Sequence, residues 1–233
     1  MAQALVTFPA DLPTLTADGP APSFDPAADA AAELRRQADA YTALGVTAAL
    51  GLTDDDVVGW ATSPAATSLP ASTEHDDHVP LVLVLPHAPG QVDDVVPAMR
   101  RGPRHGVSVI DPQEAVGYLP LEDATPPPGA YVLTDVDVGG EFRDVTPEDA
   151  LAEIRRRGRT PLTMTEGVAL VVVRPDMLRP NRCFSTPGSR TPGNQRVPAV
   201  WISDRRPKLG WCWDRNPHTW LGVAHAAARV PLG

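Results

Sequence analysis

Apolar and polar positions divide the chain into short periodic segments joined by proline-rich connections. "DPAADAAAELRRQADAYTALG" predicts a helix: Asp25 can cap it, Pro26 suits its first turn and Gly45 can end it. "TDDDVVGWA" predicts a second, short helix capped by Thr53, with its aspartates at the positive end of the dipole. From Thr62 to Pro80 the chain is Ser, Thr, Pro and Ala around "EHDDH". That composition predicts a loop with His75 and His78 exposed to solvent. "LVLVLP", "HGVSVID" and "AYVLTDVDVGGEF" predict strands, and "VDDVVPAMRRG" predicts a helix weakened by Pro97.

The clearest local pattern is "DVTPEDALAEIRRRG". Thr146 caps, Pro147 takes the first helical position, arginines fill the last turn and Gly158 terminates. Thr163 with Glu166 opens another helix, "MTEGVALVVVRPDML". Its valines favour a strand, but the capping box decides for a helix ended by Pro175. "RVPAVWIS" and "KLGWCW" predict a hairpin around "DRRP". Alternation puts Leu209, Trp211 and Trp213 on one face and Gly210 and Cys212 on the other. The aromatic face is expected to be core, with Trp211 and Trp213 largely buried.

These elements predict an α+β fold, a small mixed or antiparallel sheet covered by helices with the C-terminal hairpin at its centre. One domain is expected over residues 25–233, preceded by an arm over residues 1–24. Length and composition agree with one globular core: 233 residues, 42% hydrophobic, with 27 prolines lengthening the connections. No apolar run spans a bilayer and no basic leader opens the chain, so a cytoplasmic protein with no membrane partner is expected. Two cysteines, Cys183 and Cys212, make no disulfide framework.

The net charge of −9 hides an asymmetry. Up to Ala150 there are 24 acidic and 6 basic residues; from Leu151 onward there are 5 and 14. Either the basic part attracts anions, or the two parts neutralise each other within the monomer or across a homo-oligomer. The arginines are scattered and no binding motif accompanies them, so nucleic acid is not an expected partner.

The words "YVLTDVD", "GRTPLTMTEGVAL", "NRCFSTPGSR", "PAVWIS", "LGWCW" and "NPHTWLG" carry a family likeness. The stretch from Ala130 to Gly222 resembles an actinobacterial domain-of-unknown-function family, number 5701. The N-terminal half resembles it only loosely, and the "EHDDH" loop looks like a departure. The resemblance implies that these words share one domain. It implies no reaction, cofactor or catalytic residue.

Candidate chemistry gathers near the C-terminus. "NRCFSTPGSRTPGNQR" offers Arg182, Arg190, Ser185 and Ser189 with glycines between them, a composition suited to ringing an oxyanion. Cys183 beside Arg182 is a candidate nucleophile, with His218 as its base and Asn216 or Asp204 to orient the imidazole. Trp211 and Asn216 complete the candidate ligand-binding set. Cys183, Cys212, His218 and His225 are the ligand types zinc prefers, but their spacing predicts no metal site. No cofactor fingerprint occurs. Two functions stay open. One is a protein that binds or acts on a small anionic metabolite at the Arg/Cys/His segment. The other is a non-catalytic interaction or self-associating protein using its basic part against an acidic partner or a second copy.

Overall fold

The structure, a computed structural model, describes residues 24–69 and 76–233. The expected N-terminal arm, apart from Phe24, and His75 lie outside the described residues. The fold is α+β, with two principal sheets and helices packed on them.

Helix α1 (Ala30–Ala43) starts later than its sequence suggested. Asp25 closes a separate turn by accepting from the Ala27 amide, and Asp29 caps the helix by accepting from Ala32. Helix α2 (Asp54–Ala61) carries the Thr53–Asp56 capping box. Strand β1 (His78–Val84) begins inside the segment expected to be loop. The proline-weakened helix forms only one α-turn, Val92–Val95, before Pro97 converts it to a tighter turn.

In the first sheet β1 pairs antiparallel with β3 (Tyr131–Asp137), placing His78 opposite Asp137. On the other side of β3 lie β9 (His225–Ala226) and β10 (Ala228–Pro231), and β9 also pairs with β4 (Thr160–Pro161). The outer edge of β1 is covered by side chains of α1. Gln37 both accepts from the Leu83 amide and donates to the Leu81 carbonyl, while Tyr41 donates to the Leu83 carbonyl. These bonds blunt an edge that would otherwise present unpaired backbone.

The second sheet runs β8 (Leu221–Val223), β5 (Cys183–Ser185), β6 (Arg196–Ser203), β7 (Arg206–Trp213), β2 (Val107–Ser108). The hairpin β6–β7 is central, and its turn residues Asp204 and Arg205 both take positive φ, as a tight two-residue hairpin demands. The chain crosses from the second sheet to the first at Ala224, between β8 and β9. Gly139 allows the close packing there: a side-chain carbon on it would lie 2.0 Å from the Val223 carbonyl oxygen.

Helix α3 (Pro147–Arg156) has its Thr146 cap, and Gly158 lies just beyond it at φ 68°. Helix α4 (Met164–Val173) packs on both β1 and β6, with one shoulder in each sheet. Its capping residue Glu166 is fully buried. The cost of burying that charge is offset by bonds from Arg229, the Tyr131 hydroxyl and the Thr163 amide. Most buried apolar residues between Leu34 and Leu232 form one large cluster, and Phe142, Ala150, Ile154 and Val223 form a smaller one beside α3.

Within the fold, arginines of the basic part pair with carboxylates of the acidic part. Arg155, Arg157, Arg159, Arg179, Arg182, Arg196 and Arg215 pair with Asp123, Glu141, Asp135, Asp77, Asp77, Glu114 and Glu148 in turn.

Candidate functional site

The tryptophan-rich C-terminal segment builds a cleft of about 330 Å³. Trp201, Trp211, Trp213 and Trp220 line it with Ala199, Cys212, His218 and Leu221. Hairpin register explains how. Trp201 on β6 stands opposite Lys208, two pairs from Gly210. Any side-chain carbon on Gly210 would meet the Trp201 ring at 2.2 Å, so this glycine is what lets the indole lie down on β7.

Register also sets Arg196 opposite Trp213, and Pro198 opposite Trp211. The Arg196 guanidinium stacks 4.0 Å from the Trp211 ring centre and 5.9 Å from that of Trp213. The two indoles meet edge to face at 5.0 Å. The expectation that both would be buried does not hold. Trp213 is 47% exposed and Trp211 is half-buried. The reason is positional: both lie toward the open end of the hairpin, beyond Leu209, which does enter the core.

His218 reaches the cleft on the loop between β7 and β8. Two backbone bonds anchor that loop to the neighbourhood of α3: the Asp144 amide donates to the His218 carbonyl, and the Glu148 amide to the Asp214 carbonyl. The His218 ring packs 5.5 Å from Trp220. Its Nε2 is buried without a hydrogen-bond partner, and desolvation pushes its pKa below the usual histidine value. The ring is therefore neutral near pH 7.

The other sequence candidates are placed differently. Cys183 on β5 is buried, its thiol donates to the Arg179 carbonyl at 3.6 Å, and burial raises its pKa. No hydrogen bond joins Cys183 to His218 among the described residues. Burial likewise pushes the Cys212 thiol up to about 12. Arg182 faces Asp77 at 3.2 Å, and Arg190 faces Asp214 at 3.0 Å. Ser185 donates to the Gly222 carbonyl, and Ser189 accepts from the Met164 amide, both inside the fold. Asn216 is exposed, and its backbone amide closes a turn on the Trp213 carbonyl. Asp204 sits in the hairpin turn, bonded to Lys208, and does not orient the imidazole.

The set Cys183, Cys212, His218 and His225 is not brought together. His225 instead lies with Asp137 and Glu141, and ligand-capable atoms of these three are within 4.8 Å of one another. His78, expected in a solvent-exposed loop, bridges Asp135 at 3.0 Å and Asp137 at 2.9 Å. The sequence carried a signal for the aromatic cleft in the four clustered tryptophans. It carried none for the Asp137 cluster, because His78 and His225 lie far along the chain from Asp137 and Glu141.

No curated protein and no solved structure matches the chain. A family profile matches residues 40–232, extending the likeness well beyond the C-terminal half and across the "EHDDH" segment. That match covers most of the chain, which therefore belongs to DUF5701, a family of unknown function.

Proposed function

We propose that this protein binds a small organic molecule carrying a flat or apolar ring in the tryptophan-lined cleft, with His218 Nε2 making the directed hydrogen bond. One observation carries the reading: four indoles line one cleft that also holds a buried, unpartnered imidazole nitrogen. The volume falls in the small-molecule range of roughly 300–1,000 Å³. Indoles offer large, rigid faces for stacking. A neutral imidazole offers either a donor or an acceptor, according to its tautomer.

An anionic metabolite fits less easily. Arg182, Arg190 and Arg196 each already face a carboxylate, so an anion has to displace Asp77, Asp214 or Glu114. Stacking on the open indole faces displaces no carboxylate from its arginine. Nucleophilic catalysis draws little support, because burial raises both thiols. The rival reading, a basic surface for an acidic partner or a second copy, is weakened by the arginine pairing within the fold. A cytoplasmic protein of actinobacterial type is part of the proposal; no helix among the described residues is long and apolar enough to cross a membrane.

A thermal-shift screen of aromatic, heteroaromatic and sugar-ring compounds tests this reading. A true ligand at a hundred times its dissociation constant stabilises the wild type by about 2.7 kcal/mol. His218→Ala and Trp220→Ala, each still folded, are expected to lose that gain. Hits that stabilise Trp220→Ala as strongly as wild type would move the site elsewhere.

A further inference from the structure

The cluster at the other end of the 218–225 segment has no part in the cleft, yet among the described residues it brings three metal-capable side chains within 4.8 Å of one another. Asp137 is the last residue of β3, and His225 is its direct cross-strand partner on β9. Gly139 then reverses the chain at φ 71°, and the following 3-10 turn returns Glu141 to the same corner. Asp137 and His225 are buried, while Glu141 is exposed and leaves a way in. His225 is only 1% exposed, and its Nε2 has no hydrogen-bond partner. A buried imidazole nitrogen without a partner is costly unless something occupies its lone pair or its proton.

We propose that Asp137, Glu141 and His225 form a binding site for a divalent transition-metal cation of the zinc or manganese class. Two carboxylates and one imidazole suit those ions; magnesium and calcium favour all-oxygen sets. Outer bonds already orient the ligands. The Gly139 amide donates to Asp137 Oδ1 at 2.6 Å, and His78 Nε2 lies 2.9 Å from Asp137 Oδ2. Arg157 holds Glu141, and the Phe142 ring meets the His225 ring edge-on at 5.8 Å.

Arg159 makes the site conditional. Its Nε donates to His225 Nδ1 at 2.7 Å, which fixes the neutral ring with its proton on Nε2. A cation needs the other tautomer. The ring proton must leave Nε2 and return at Nδ1, so the imidazole stays neutral and Nε2 turns its lone pair to the metal. Arg159 Nε then loses its acceptor, while its terminal nitrogens keep Asp135. Arg159 therefore competes with the metal through both its charge and its hydrogen bond. A glutamine in its place removes the charge and can accept from Nδ1–H, the outer-shell bond that metal-bound histidines normally make.

The test is calorimetric titration of Zn²⁺, and separately Mn²⁺, into chelator-treated full-length protein. One equivalent is expected to bind the wild type. Glu141→Gln, at an exposed position that leaves folding intact, is expected to weaken binding about tenfold or more. His225→Gln is expected to abolish it, and Arg159→Gln to tighten it about tenfold. Cys183→Ala and His218→Ala are expected to bind as wild type does. No binding by wild type or Arg159→Gln, equal binding by Glu141→Gln, or weaker binding by folded Arg159→Gln each overturns the proposal.

Discussion

Arg196 is held on two sides: its guanidinium stacks 4.0 Å from the Trp211 ring centre while Nη1 meets Glu114 Oε2 at 2.6 Å. The pair ties the hairpin to the segment carrying Glu114, so the wall of the cleft rests on a charged contact. Arg196→Ala is expected to cost about 1 kcal/mol, since the stack is partly exposed. Arg196→Lys should recover little, because an ammonium cannot both lie flat on the indole and present a fork. Urea unfolding followed by circular dichroism measures both.

Exposure separates two aromatic residues that composition alone would treat alike. Phe184 on β5 is fully buried, and Phe184→Ala is expected to cost roughly 3–5 kcal/mol. Trp213→Ala, at a half-exposed position, is expected to cost less than about 1 kcal/mol. Equal losses in chemical denaturation would mean that Trp213 belongs to the core after all.

Glu166 is the charge on which the α4 junction depends. It receives two bonds from Arg229 and one from Tyr131 in a fully buried setting. Glu166→Gln is expected to destabilise the fold by roughly 3–5 kcal/mol, because it leaves Arg229 facing a neutral amide. Equilibrium unfolding at pH 7 reads the difference.

The capping residues were legible in the sequence because their chemistry is local. Thr53, Thr146 and Thr163 each bond to an amide within three residues, and all three helices start where the motif says. The hairpin was legible for the same reason, with its turn at Asp204 and Arg205. Between Asp25 and Asp29, two caps of equal type, only the folded backbone decides. The His78, Asp137 and His225 cluster was not legible, because it depends on pairing three strands far apart in sequence. Alternation assigned Trp211 and Trp213 to one face but not the covering of that face, which is set by how far the hairpin extends past Leu209.

Thiol chemistry offers an independent check on the binding reading. Burial raises the pKa of Cys183 and carries that of Cys212 to about 12. Both stay protonated through the ordinary working range, and the thiolate gains only as pH climbs toward those raised values. A disulfide reagent at pH 8 is expected to label neither cysteine in the native protein and both after unfolding. Rapid native labelling of Cys183 would restore the nucleophile.

The most direct test of the cleft is nitrogen-15 NMR of the five indole N–H groups. Trp201, Trp211, Trp213 and Trp220 line the cleft, whereas Trp60 lies in α2 and serves as an internal reference. Titration with a ring compound found by the screen is expected to shift the four cleft indoles, leave Trp60 in place, and lose its effect in His218→Ala. Shifts confined to Trp60, or unchanged cleft indoles at saturating ligand, would contradict the account.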